Sequence, residues 1–211
     1  KGNPVDNCRH FYQKFKNERK IVPGVGLQGV YVCNEETCTE AKAFSDEVGA
    51  PINMHLSETR GEVNDHKKAT GMRPAEWLSH IGVLGPRVVA AHSAWLTMNE
   101  VRLMGEAGMS ISSCPVSNMK LATGGVAPVP EFEKYGVNVS LGTDGNTTNN
   151  SLDMISEMKM LGLLQKSSRW DPTVTPAQDL LDIVTVNGAK AIGMQDSLGS
   201  LEAGKYADVV V

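Results

Sequence analysis

Three segments of the chain each end an apolar run with a side chain that can bind a metal or carry a proton. The side chains are His55 with Glu58, His92, and Asp144. Each run has the length of a buried strand, and a helix-like stretch follows it. Strand–helix repetition predicts an α/β fold with a parallel sheet, whose strands all end at the same edge. We therefore expect these four side chains to converge at the carboxyl edge of the sheet, where α/β enzymes place their chemistry.

Two further strands extend this pattern to five strand–helix units without an internal linker. The strands are expected over residues 21–27, 52–55, 87–92, 109–114 and 137–141. A complete (β/α)₈ barrel needs roughly 250 residues, and five units alone would leave an open sheet with two unpaired edges. The chain also has no initiator Met, and its last apolar run stops inside a strand expected over residues 206–211. We therefore expect a piece of a longer protein.

Several helix ends are marked by capping residues. Asn34 is expected to cap a helix that stops at Gly49. Thr97–Glu100 forms a capping box, and Thr175–Gln178 forms a second one with Pro at the first helical position. A surface helix is expected over residues 9–20, where apolar residues recur at helical spacing.

The composition limits the class of protein. Hydrophobic residues make up 41% and charged residues 21% of the 211 residues, which is typical of a globular domain with a sizeable core. The net charge of −4, without a basic cluster, argues against nucleic acid and anionic membrane surfaces as partners. The chain has no run of about 18 apolar residues and no signal-peptide-like start. Its four Cys residues show neither zinc-finger nor disulfide-framework spacing, so we expect a reducing, cytoplasmic location.

Several motifs are similar to those of one enzyme family. They are HLSET at 55–59, AH at 91–92, PVSNMKL at 115–121, GTDG at 142–145, NN at 149–150 and GSLEAGKYAD at 199–208. Together they resemble the amidohydrolase superfamily, and within it the 5-methylthioadenosine/S-adenosylhomocysteine deaminases. The resemblance implies that residues 1–195 are the C-terminal five βα units of a (β/α)₈ TIM-type barrel. Residues 196–211 would then be a segment that returns to a small β domain.

The same resemblance implies one divalent metal ion. Zinc is the first expectation, with iron, manganese or nickel as alternatives, because a neutral imidazole is a good ligand for metals of this type. His55 and Asp144 are the expected ligands. The resemblance implies that two other ligands form a His-x-His pair within the first three barrel strands, and no His-x-His occurs in this sequence. We therefore expect the remaining ligands outside this chain.

Glu58, His92 and Asp144 are the predicted catalytic residues. Glu58 could donate a proton to a ring nitrogen of the substrate, the alternative being a carboxylate at a helix start. From its position alone, His92 is either a metal ligand or a non-ligating base; the resemblance implies that it orients and stabilises the attacking hydroxide. Asp144 is interpreted as a ligand that also accepts the proton of the water, although Asp in this context can simply form a turn.

Glu58 and His92 are also expected to contact the substrate, together with three further residues. Family deaminases usually carry a His after the fourth barrel strand that contacts the nucleoside, and Gln28 stands in the equivalent position. Trp95 is expected to line the pocket or the core, and Asn118 to shape the rim or only its loop. Cys114 is expected to be buried rather than nucleophilic, since no base is implied beside it. His66 and His80 are expected on solvated helix faces.

The leading hypothesis is hydrolytic deamination of an adenine nucleoside by metal-activated water. The expected substrates are small molecules of the 5-methylthioadenosine and S-adenosylhomocysteine class. One alternative is hydrolysis of another amino- or halo-substituted ring, such as guanine or a triazine, on the same fold. A second alternative is a non-catalytic relative kept as an assembly protein, which would be expected to lose the site residues. A homo-oligomer is expected for the full-length protein.

Overall fold

The chain folds around one parallel five-stranded sheet. Its structure is a computed structural model that describes residues 3–18 and 20–210. The strands are β1 (Val25–Leu27), β2 (Ile52–Leu56), β3 (Val88–His92), β4 (Ser110–Ser113) and β5 (Asn138–Leu141). Their spatial order is their chain order, and every neighbouring pair is parallel. Helical crossovers connect consecutive strands, so the α/β prediction of five successive units is confirmed.

Eleven helices lie in the described part of the chain. They are α1 (Pro4–Phe15), α2 (Glu35–Val48), α3 (Arg60–Thr70), α4 (Pro74–His80), α5 (Met98–Glu106), α6 (Pro115–Lys120), α7 (Val129–Lys134), α8 (Asn146–Asn149), α9 (Met154–Arg169), α10 (Ala177–Val184) and α11 (Val186–Ala191). None of them is long and apolar enough to cross a membrane.

The strongest capping signals are confirmed. The Asn34 side chain accepts a hydrogen bond from the Thr37 N–H, and Gly49 ends α2 in the left-handed conformation with φ 74°. The capping box at α5 is formed in both directions by Thr97 and Glu100. In both cases the signal is local, because the capping side chain and its N–H partner lie three residues apart.

Several local predictions differ from the structure. The first strand begins at Val25 rather than at residue 21. The first helix begins at Pro4 rather than at residue 9, because Asn3 caps it by accepting the Val5 N–H. The second predicted capping box is wrong: Thr175 has φ 44°, whereas an N-cap residue is extended, and its buried hydroxyl has no partner in the described structure. His66 is buried rather than solvated, since its ring packs edge-on against Trp77 with the centroids 5.1 Å apart.

The C-terminal segment does not form the predicted strand. Residues 206–210 carry no strand in the described structure, and residue 211 of that prediction lies outside the described residues. A strand requires a neighbour that takes up its backbone N–H and C=O groups. No described strand pairs with this segment.

Helices pack against one face of the sheet, and the other face is more open. On β2, Ile52, Met54 and Leu56 are fully buried on the face packed by helices. Asn53 and His55 alternate with them and point to the other face, as the period of two requires. That second face lines an open cleft of about 340 Å³. The candidate site residues lie at the carboxyl edge of this sheet.

Candidate metal and proton-transfer site

The strand ends that carry the predicted residues share an unusual backbone conformation. Ser57, His92, Ser93 and Asp144 all have positive φ, between 50° and 66°. Non-glycine residues rarely adopt this region, and such strain concentrates at functional sites. A hydrogen bond between the ends of β2 and β3 helps to hold this backbone conformation: the Ser93 N–H donates to the Leu56 carbonyl at 3.0 Å.

His55 is fixed through its backbone-facing nitrogen. Its Nδ1 lies 2.7 Å from the Gln28 carbonyl oxygen, at the end of β1. Because a carbonyl oxygen only accepts, Nδ1 carries the proton and Nε2 keeps its lone pair. A neutral His whose second nitrogen donates to a carbonyl is the usual state of a metal-ligating imidazole. His55 therefore offers Nε2 as a donor for a divalent metal.

His92 is 1% exposed and lies beside His55. The sheet register pairs it with Leu56, whose side chain points into the core. Because the backbone of His92 is left-handed, its side chain does not follow Leu56 into the core, and its ring stacks on the His55 ring. The two ring centroids lie 5.3 Å apart, and the ring planes meet at 17°. Its Nδ1 donates to Asn118 Oδ1 at 2.8 Å. The sequence prediction that brings His55 and His92 together is borne out in this geometry.

Glu58 faces the second nitrogen of His92. Its Oε2 lies 3.8 Å from His92 Nε2, and the side chain is 18% exposed. The loop that presents it is held by Glu62, whose two carboxylate oxygens accept the backbone N–H groups of Ser57 and Glu58 at 2.9 and 2.8 Å. Burial raises the pKa of Glu62 despite these donors. Glu58 is thus a partly exposed carboxyl on a fixed backbone, directed towards His92.

Asp144 lies at the end of β5 and accepts three hydrogen bonds. Ser117 Oγ and Thr148 Oγ1 donate to Oδ2 at 2.7 and 2.9 Å, and the Gly145 N–H donates to Oδ1 at 2.7 Å. Partial burial raises the pKa of Asp144, but these three donors outweigh it, and the net shift is downward. The carboxylate is therefore ionised at neutral pH.

Helix α6 connects the two sides of the site. Its consecutive residues Ser117 and Asn118 contact Asp144 and His92 respectively. Asn118 is buried and its amide oxygen fixes the His92 ring, while its predicted role at the substrate rim stays a prediction. Cys114 precedes the helix and is 4% exposed, with burial raising its pKa to about 12. The expectation that Cys114 is buried is confirmed.

The side chains of Gln28 and Trp95 form their hydrogen bonds with residues outside this cluster. The Gln28 side chain donates to the Tyr31 hydroxyl at 2.9 Å and is exposed, while its backbone carbonyl holds His55. The Trp95 indole N–H donates to the Thr123 carbonyl at 2.9 Å. A Cβ on Gly125 would lie only 2.6 Å from the indole nitrogen, so this loop packs tightly on Trp95. Substrate contact by either side chain stays a prediction.

The donor chemistry of the site fits a divalent metal but does not complete its coordination. A free imidazole Nε2 and an ionised carboxylate are ligands of the type that zinc takes. Within residues 3–18 and 20–210, however, no three His, Cys, Asp or Glu side chains are grouped closely enough to hold a metal ion. That His55 and Asp144 share one metal with ligands from outside this chain stays a prediction.

The sequence matches the model of the amidohydrolase family over residues 3–211. The chain belongs to the amidohydrolase family. This confirms the resemblance drawn from the sequence motifs. The matched residues include all five strands of the sheet and the helices packed on it.

Several relatives are named as deaminases. The chain is 45% identical over 192 residues to the 5'-deoxyadenosine deaminase of Methanothermobacter thermautotrophicus, which covers 91% of this chain and 44% of that protein. It is 39% identical over 204 residues to the 5-methylthioadenosine/S-adenosylhomocysteine deaminase of Thermodesulfovibrio yellowstonii, covering 97% and 46%. The chain thus spans about half the length of the relatives it matches.

Solved structures share the same fold. An adenosine deaminase from Xanthomonas campestris with bound zinc superposes with a TM-score of 0.93 at 33% identity, over 97% of this chain and 46% of that one. The guanine deaminase of E. coli gives a TM-score of 0.87 at 20% identity, over 97% and 47%, which supports the fold alone. The amidohydrolase neighbours confirm the predicted partial-barrel architecture.

Proposed function

We propose that this chain forms the C-terminal half of the catalytic barrel of a metal-dependent aminohydrolase that deaminates adenine nucleosides with a modified 5' position. The observation that carries the proposal is the cluster at one sheet edge, in which His92 lies against His55 and Glu58 while α6 contacts both His92 and Asp144. The names of the relatives supply the substrate class: 5'-deoxyadenosine in one group, 5-methylthioadenosine and S-adenosylhomocysteine in the other.

His55 Nε2 and the Asp144 carboxylate would hold one divalent metal, with zinc as the first candidate because a solved relative carries it. The remaining ligands would come from a His-x-His pair outside this chain. Such a metal acidifies water, so that hydroxide becomes available near neutral pH.

Asp144 is the proposed acceptor of the water proton. Its carboxylate is ionised before the reaction, and Oδ1 accepts only the Gly145 N–H. The single hydroxyl hydrogen of Thr148 can point either to Asp144 Oδ2 or to the Gly145 carbonyl oxygen, both 2.9 Å away. When it points to the carbonyl, Oδ2 gains a free lone pair that can take the proton.

Glu58 and His92 are the proposed residues on the substrate side. In the proposed reaction, Glu58 in its protonated form gives a proton to a ring nitrogen while the amine-bearing carbon is attacked. His92, whose Nδ1 is held by Asn118, keeps Nε2 available to orient the attacking oxygen. The balanced reaction consumes one water and releases ammonia, leaving a ring carbonyl in place of the amine.

The test is a substrate screen on the complete enzyme that carries this half-barrel, with ammonia release and zinc content measured together. We expect 5'-deoxyadenosine, 5-methylthioadenosine and S-adenosylhomocysteine to be deaminated faster than guanine or a triazine. Turnover of only guanine or a triazine would favour the alternative ring hydrolase. No turnover of any of them in a zinc-loaded protein would favour the non-catalytic relative.

The 211-residue chain by itself is expected to bind zinc weakly and to be inactive. Zinc sites in proteins use three or four protein donors, and this chain offers His55 and Asp144. Stoichiometric, tight zinc in the isolated chain would contradict the proposed ligand set. The division at residues 195/196, a homo-oligomeric state and a cytoplasmic location are predictions of the same proposal.

A further inference from the structure

Glu157 is a buried carboxylate that pairs with no cation in the described structure. It lies on α9, is 1% exposed, and takes part in none of the ion pairs among residues 3–18 and 20–210. Burial of a charged carboxylate is costly unless hydrogen bonds compensate for the lost water. A residue of this kind in a helix face otherwise packed against the core requires a specific reason.

The two oxygens of Glu157 join two separate segments of the chain. Oε1 accepts the backbone N–H of Val116 at 2.9 Å, in the first turn of α6. Oε2 accepts Asn149 Nδ2 at 2.9 Å, in α8. The same Asn149 amide also donates to the Thr143 carbonyl at 2.8 Å. One carboxylate thus links the segment after β4 to the segment after β5.

These two segments orient two of the candidate catalytic groups, Asp144 and His92. The residue after Val116 is Ser117, which donates to Asp144, and the next one, Asn118, fixes the His92 ring. Thr143, held through Asn149, directly precedes Asp144 in the chain. We propose that Glu157 is a positioning residue that sets the Asp144 carboxylate and the His92 ring relative to each other. This inference rests on the proposed function for its catalytic consequence.

The arrangement uses the two acceptor oxygens of Glu157 rather than its size. Both of its oxygens accept from N–H groups, and an amide has only one oxygen that can do so. Glu157→Gln keeps the shape but directs an NH₂ group at the N–H of either Val116 or Asn149. One link must then break, and α6 and α8 lose their common anchor.

The expected effect in the complete enzyme is on the chemical step. Loss of a group that orients the residues at a metal site typically costs about 10- to 100-fold in activity. We expect Glu157→Gln to lower kcat by about that factor, while KM changes little. Hydrogen exchange should become faster in residues 115–121 and 143–150, and stay unchanged in the β2 and β3 segments.

Glu131→Gln is the matched control. Glu131 is also a carboxylate that anchors a segment to α9, through an ion pair in which Arg169 Nη1 lies 2.7 Å from Oε1. That pair joins α7 to α9, so its loss should lower the unfolding temperature without changing kcat. Asn149→Ala supplies a second test. If Glu157 acts through Asn149, the double variant should be little less active than the less active of the two single variants.

The exchange and kinetic measurements separate failure of this inference from failure of the proposed function. If the wild type deaminates and Glu157→Gln keeps a normal kcat, or loses activity only in parallel with the stability loss of Glu131→Gln, the positioning role is wrong while the function stands. If the wild type deaminates nothing, the proposed function is wrong. Unchanged exchange in residues 115–121 and 143–150 would then still overturn the role of Glu157, and faster exchange there would support it.

Discussion

The histidine side and the aspartate side of the site are held in different ways. His55 and His92 end two paired central strands, their rings stack, and each Nδ1 donates to an oxygen from another segment. Asp144 ends β5, which lies at the edge of the described sheet, and its side chain is held by donors from the helical segments α6 and α8. Sheet pairing therefore brings the two histidines together, with α6 orienting the His92 ring, whereas two short helices and the Gly145 N–H hold the carboxylate.

This difference predicts which substitutions should impair the site and in what way. The histidine side depends on ring nitrogens whose partners are a backbone carbonyl and one amide. The aspartate side depends on hydroxyl and N–H donors that can be removed one at a time. Substitutions on the two sides should therefore change different measured quantities, and the predictions below apply to the complete enzyme.

The largest effect is expected for His55→Ala. The variant removes an imidazole Nε2 from the proposed ligand set, so the metal content itself should fall and turnover should drop to background. Metal analysis of the purified variant, beside wild type, measures this directly. Full zinc occupancy in His55→Ala would show that His55 is not a ligand.

The next largest effect is expected for Asp144→Asn. The amide keeps an oxygen that can bind metal but cannot accept the water proton. Turnover should therefore fall by about 10²- to 10⁴-fold, while a substantial part of the metal remains. If this variant lost its metal as completely as His55→Ala, the two sides of the site would have the same role, and the comparison would be wrong.

A smaller loss is expected for Ser117→Ala. Its hydroxyl donates to Asp144 at 2.7 Å, so its removal should cost about 10-fold in kcat. Thr148→Val is the matched variant, and it should cost less, because the Thr148 hydroxyl shares its hydrogen with the Gly145 carbonyl. A steady-state kinetic comparison decides the order, and a larger loss in Thr148→Val would contradict it.

The smallest effect on the chemical step is expected for Gln28→His. The backbone carbonyl that holds His55 is kept, so metal content should not change. The exposed side chain changes from a neutral amide to an imidazole, which should alter the ranking of nucleosides by kcat/KM. Identical ranking in the two proteins would place the residue 28 side chain away from the substrate.

The fold was predictable from the sequence to the extent that its signals are local. Capping at Asn34 and Thr97 depends on residues three apart, and the strands are marked by apolar runs of the right length. Parallel topology predicted that His55 and His92 would lie at the same sheet edge, but the stacking of their rings also depends on the left-handed backbone of His92. The failed prediction at Thr175 has a tertiary cause, since Lys166 Nζ binds the Thr175 carbonyl at 3.1 Å and the residue adopts a left-handed backbone.

The residues that support the site were harder to find. A signal for Glu62 was present, because Thr59 and Glu62 have capping-box spacing, yet the Glu62 side chain binds the N–H groups of Ser57 and Glu58 instead. Glu157 interrupts the apolar stripe of α9, which marks it as unusual. Its partner Val116 lies 41 residues away in the sequence, and no spacing rule reaches across that separation. Tertiary contacts of this kind are visible only in the folded chain.

The most direct test of the account is metal content and turnover measured together in Glu58→Gln. The account divides the site between groups that hold the metal and groups that move protons, and it assigns Glu58 only to the second task. We expect wild-type zinc content with turnover lowered by about 10²- to 10⁴-fold, because the variant keeps the shape of Glu58 but has no proton to give. Loss of zinc, or turnover near that of the wild type, would contradict this division.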